Sequence, residues 1–174
     1  MKAKSFLGIA SMLCAIALVG CSSGDSRKFV SDAAEGGMME VELGRLAMQK
    51  AGSDAVRNFG MQMVQDHTKA NTELKAVATR KNITLPSELS SSQKSTIEKL
   101  SKLSGAEFDK EYMSNMVKDH EADVKEFQTQ ANKGNDPEVK AFAAKTLPTL
   151  QKHLQMARDV ANQVSRGSNV SQRQ

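Results

Sequence analysis

The chain has 174 residues, with 24 Lys and Arg against 20 Asp and Glu, a formal net charge of +4. That length suits one domain with a single core, and a modest positive charge with no Lys/Arg block excludes a nucleic-acid partner. Both cysteines, Cys14 and Cys21, precede the bulk of the chain, which is left with no disulfide, no cysteine nucleophile and no thiolate metal site. Aromatic residues are only 4%, so the core must consist mainly of Leu, Val, Ala and Met.

Residues 1–20 read as a secretory signal peptide. Lys2 and Lys4 give a positive start, and Phe6 to Val19 is an apolar run of about 14 residues, short of the about 20 that a membrane span needs. Leu18-Val19-Gly20-Cys21 resembles the lipobox of bacterial lipoproteins. The resemblance implies lipidation of the Cys21 thiol, cleavage before it, and a membrane partner reached through the lipid. Ser22, in place of an acid after the cysteine, implies by the same likeness an outer-membrane anchor facing the periplasm. Several acyl chains on one residue hold stably, and residues 21–27 are expected to be the tether. The alternative is an ordinary signal peptide with a chance cysteine. Loss of residues 1–20 removes Lys2 and Lys4 and no acid, so the net charge of +4 falls to +2.

Apolar residues then recur at three- and four-residue steps, the mark of helix. The first helix is expected from Ser26 to Ala51, ending at Gly52. The second opens at Ser53 or Asp54 and runs to about Lys81. Asn82-Ile83-Thr84-Leu85-Pro86 breaks the pattern, and a serine-rich connector carries a short helix near Gln93–Leu103. Ser104-Gly105-Ala106-Glu107 reads as a capping box opening the third long helix, which reaches about Asn132. Asp136 as N-cap and Pro137 at the first helical position start the fourth, which runs to about Arg166, with 167–174 a flexible tail. The short, long, short connections over residues 28–166 fit an all-α, ferritin-like four-helix bundle whose long crossover holds the short helix. An up-down-up-down bundle with a decorated loop is the alternative.

The apolar stripes carry four polar residues. His67 lies in the stripe of Val56, Gly60, Met63, Ala70, Leu74 and Val77. His120 lies between Met116 and Val124, and His153 between Leu150 and Ala157. Glu40 sits in the stripe Ala33, Gly37, Gly44, Ala47 and Ala51. Each is about 12 to 16 residues from its helix start, roughly 20 Å along the axis, so all four belong at mid-height. One carboxylate and three imidazoles can hold a transition-metal ion, Zn, Fe, Cu or Ni, in tetrahedral geometry. Asp123 could add an oxygen. Asp66 and Asp119 each precede a histidine and point about 100° away, as surface groups or as partners behind the ligands. The competing reading is a polar layer that only fixes helix register. The methionines are read as core filler rather than soft ligands, Pro148 as a kink ahead of His153, and Gly36-Gly37 as a close-packing site.

Gly36-Gly37-Met38-Met39-Glu40-Val41, Met63-Val64-Gln65-Asp66-His67, Phe108-Asp109 with Met116-Val117-Lys118-Asp119-His120, and Thr146-Leu147-Pro148-Thr149-Leu150-Gln151-Lys152-His153 together resemble a ferritin-like family of exported bacterial proteins, catalogued as a domain of unknown function and often labelled outer-membrane protein. The likeness spans about 28–162. It implies the bundle and the envelope, and it carries over no established enzymatic activity. Carboxylates on the core faces are too few for the paired Glu-x-x-His sets of di-iron proteins, so a single ion is the better expectation.

The sequence therefore points to a lipid-anchored metal-binding bundle with a role in metal or oxidative stress. The alternative is a non-catalytic envelope protein that binds another envelope component. No phosphate loop, dinucleotide fingerprint or serine-nucleophile elbow occurs, and no catalytic residue is identified. An oxidoreductase on the same site would further need an open coordination position and a substrate channel.

Overall fold

A computed structural model describes residues 22–171; the expected signal segment 1–20 and Cys21 lie outside the described residues. Five helices follow in order: α1 (Ser22–Lys50), α2 (Asp54–Arg80), α3 (Ser91–Ser101), α4 (Gly105–Lys133) and α5 (Pro137–Ser171). The described residues hold no strand, and no described helix is long and apolar enough to cross a membrane. α1 and α2 form one antiparallel hairpin and α4 and α5 the other, while α2 meets α5 and α1 meets α4 across the bundle. The crossover 81–104 carries α3 from one end of the bundle to the other, where α3 rests on α1 and α4. This is the ferritin-like arrangement.

Both ends are tied by specific contacts. At one end the Gly52 and Ser53 N–H groups donate to the two carboxylate oxygens of buried Asp109, each at 2.9 Å. At the other, Asp136 caps α5 by accepting from Glu138 and Val139 N–H and pairs with Lys81 at 2.5 Å. Arg80 pairs with Glu138 alongside. The Asp136-Pro137 start is thus as its sequence dictates.

The capping box is not where the sequence suggested. Ser104 occupies the N-cap position of α4 without a side-chain bond. Gly105 follows at φ 61°, a non-helical conformation for the first residue after the cap, with its backbone bridged to Ala51 and close to Gly52. The box forms instead at Ser90 and Gln93, at the start of α3. α1 begins at Ser22 rather than Ser26, through part of the expected tether 21–27, because no breaker but Gly24 interrupts it and Asp25 favours its first turn. α5 passes Gly167 to Ser171, since a lone glycine costs a helix only about 1 kcal/mol. It also passes unbroken through Pro148.

The core divides into two apolar halves. One holds Leu43, Phe59, Met63, Tyr112, Met113 and Met116, and the other Phe29, Val30, Leu74, Phe127, Phe142 and Leu150. On every long helix the polar residue of the stripe falls between its contributions to the two halves. α1 buries more than its small-residue stripe: Phe29, Val30 and Leu43 point inward as well.

The α1 and α2 backbones press together at Gly44 and Gly60, and of the Gly36-Gly37 pair only Gly37 is a close-packing site, against the Asn71 side chain. A Cβ on Gly60 would stand 2.7 Å from the Ala47 Cβ and 2.8 Å from the Gly44 carbonyl oxygen. A Cβ on Gly36 would meet nothing within 4 Å. Gly60→Ala is therefore expected to destabilise by about 1–3 kcal/mol through overpacking. Gly36→Ala is expected to stabilise by up to about 1 kcal/mol through helix propensity. Urea unfolding midpoints of the two variants measure both, and equal shifts would contradict this packing.

Candidate metal centre

His67 on α2, His120 on α4 and His153 on α5 project into the layer between the two apolar halves, 6%, 0% and 1% exposed. Periodicity dictates this: each ring follows the apolar stripe of its helix by a step of three or four. Their ring centroids are 5.4 to 5.8 Å apart. Each ring can offer one nitrogen such that all three lie within 4.8 Å of one another.

Hydrogen bonds behind two of the rings fix which nitrogen is free. His120 Nδ1–H donates to the Met116 carbonyl oxygen one turn back, at 2.9 Å. Its Nε2 is then the lone-pair nitrogen, and it is buried with no partner among the described residues. His153 Nε2–H donates to Asp66 Oδ2 at 2.8 Å, and its Nδ1 is the buried, unpartnered atom. Gln62 donates to the same Asp66 oxygen at 2.7 Å and holds it in place. His67 Nε2 is likewise buried and unpartnered. A carboxylate or carbonyl behind a ring, with the other nitrogen left bare, is how ligating imidazoles are oriented. Asp66 is thus a partner behind an imidazole, as its position beside His67 allowed, but the imidazole is that of His153 on another helix.

The electrostatics keep the rings neutral. Burial, then the neighbouring His120 and His153, lowers His67 to about 3. Burial, then His153, lowers His120 to about 4 against the pull of the Met116 carbonyl. Burial also lowers His153, opposed by Asp66. For Asp66, burial acts upward, but the bonds from His153 and Gln62 outweigh it and leave the carboxyl below its usual range.

Glu40 shares the layer but not the cluster. It is fully buried, and its Oε1 lies 3.7 Å from His120 Nδ1, the nitrogen already given to Met116. It therefore stands behind His120 and outside the group of three mutually close ligand atoms. Burial first, then the charge of Asp119, raises its pKa well above the ordinary value and favours the protonated form. Asp123 is pushed up to about 8 by burial and by Asp119 and Glu126, and lines a cavity beside His67. The sequence reading missed Phe59 and Tyr112. Phe59 meets His120 edge-on at 6.3 Å, and Tyr112 packs on Phe59. Counting four residues back from Met116 and from Met63 would have found both.

A helical bundle with three neutral imidazoles buried at its centre is the class of molecule defined here. Within that class the chain belongs to the DUF4142 family, a domain of unknown function, whose profile matches residues 19–160. No curated protein matches the chain. Among solved structures, a DUF305 fragment from Deinococcus radiodurans superposes with TM-score 0.71 at 13% identity, covering 83% of this chain and 99% of that one. A DUF305 protein from Streptomyces coelicolor, assigned as secreted, superposes with TM-score 0.70 at 12% identity, covering 83% and 95%. At these identities the likeness shows the fold alone.

The lowered imidazole pKa values carry a sign. Unfolded imidazole titrates near 6.5, so between about 6.5 and 4 the unfolded chain takes up protons that His67 and His120 refuse. Their contribution to stability is full above pH 6.5 and falls, as pH drops, by about 1.4 kcal/mol per unit for each ring. Asp123 acts oppositely, losing its contribution as pH rises through about 8. In an NMR titration of the metal-free protein, the His67 and His120 ring signals are expected to stay unmoved from pH 8 to pH 5. An inflection near 6.5 in either would contradict the site as described.

Proposed function

We propose that this is an exported, lipid-anchored bundle that binds one transition-metal ion in its interior through His67, His120 and His153. The observation that carries the reading is the set of three buried imidazole nitrogens, one per helix, each without a hydrogen-bond partner. A register-fixing polar layer would bond its members to one another, because a buried unsatisfied polar atom costs about 1–3 kcal/mol. Here His120 and His153 bond to Met116 and Asp66 instead, and one nitrogen of each of the three rings has no partner among the described residues. Neutral imidazoles suit Zn, Cu, Ni or Fe. Three of them leave a fourth tetrahedral position for water or another small ligand.

Glu40 is not part of this ligand set, since it faces the far nitrogen of His120. A role in metal or oxidative stress is part of the same proposal. The lipid on Cys21, the outer-membrane location and the membrane as partner rest on the lipobox-like segment alone. A further envelope partner would add to this reading without replacing it.

Elemental analysis of the untagged full chain tests the metal site. About one equivalent of a transition metal is expected, lost in His67→Ala and His120→Ala and kept in Glu40→Gln. An ion at one hundred times its Kd adds about 2.7 kcal/mol, so Tm should rise by several degrees in the wild type and not in the histidine variants. Metal-free protein whose Tm ignores Zn2+, Co2+ and Cu2+ would overturn the reading. A lipid-dependent mass increase on Cys21, absent from Cys21→Ser, tests the anchor separately.

A further inference from the structure

The three rings are almost completely enclosed, so an ion that binds them needs a way in. A cavity of about 30 Å³ lies beside His67, lined by Gly36 and Gly37 of α1, Asn71 of α2, Asp123 of α4 and Phe127. That is room for one or two waters, or for an ion that has shed most of its own. Of the three histidines only His67 lines it, and His67 is the most exposed of them.

The glycine pair explains why the opening exists. Gly36 is half-buried, and a Cβ there would project into free space. Gly37 is buried, and a Cβ there would stand 2.0 Å from Asn71 Oδ1, so its absence lets the amide lie against the α1 backbone. Two glycines inside a helix cost about 1 kcal/mol each relative to alanine, and helix packing accounts for Gly37 only.

We propose that this cavity is the passage by which a divalent transition-metal ion reaches and leaves the histidines. Asn71 and Asp123 serve as transit oxygen donors, and Gly36 and Gly37 form the open wall. The inference rests on the metal site proposed above. Oxygen donors outside and imidazole inside give the ion successively stronger partners as it sheds water, without trapping it at the mouth.

The test follows Co2+ entering the metal-free full chain by stopped-flow absorbance of its d–d bands, and its removal by excess EDTA. Gly36→Leu places a side chain in the opening. It is expected to slow uptake and release alike by at least tenfold, with stoichiometry and Kd unchanged, because a barrier alters both rates equally. Asp123→Asn is expected to slow both severalfold. Should Gly36→Leu fail to fold by circular dichroism, Gly36→Ser and Asp123→Asn decide in its place. Wild-type rates in a folded variant overturn the passage while leaving the metal site intact. Weaker binding at an unchanged uptake rate makes Asp123 a ligand and also overturns it. A protein that takes up no Co2+ overturns the site and the passage together.

Discussion

Everything in this molecule is arranged around the difficulty of placing three imidazoles in an apolar interior. A buried ring nitrogen without a partner is costly, and the layer of Glu40, His67, His120 and His153 interrupts what would otherwise be one continuous core. The two apolar halves on either side must hold the helices together strongly enough to offset that layer. The half around Phe59 and Tyr112 does so with Met63, Met113 and Met116, and the other, with Phe29 against Phe127, uses no methionine.

The hydrogen bonds behind the rings turn a costly layer into a specific one. Met116 and Asp66 take the outer protons of His120 and His153. Each bond fixes a tautomer and thereby directs a lone pair inward. The partners come from different sources: Met116 is one turn away on the same helix, whereas Asp66 reaches across from α2 to α5. The geometry of the cluster therefore depends on the α2–α5 contact as well as on each helix alone.

Much of this was legible in the sequence, because helical periodicity states which side of a helix a residue occupies. The three histidines fall on core faces at comparable depth by counting alone, and Asp136-Pro137 announces the start of α5 through local chemistry. What could not be read depends on tertiary contact. Periodicity placed Glu40 in the same layer, but it carries no information on which edge of the His120 ring the carboxylate meets. The Ser104 box does not form, and the Gly105 beside it lies on the α1–α2 turn, a contact between segments distant along the chain. Asp109 looked like part of a motif. Its task of holding Gly52 and Ser53 became visible only when α4 was laid beside that turn.

The three rings are not evenly divided between the hairpins. His67 belongs to the first, and His120 and His153 to the second, and the chain joins the hairpins only through the crossover 81–104. Whatever bridges the rings also sutures the two halves of the molecule, as a disulfide would in many exported domains. The described residues contain no cysteine with which to make one. An ion held there would add a reversible stitch to a grip the hairpins already have, since both apolar halves and the Asp109 and Asp136 contacts also run between them.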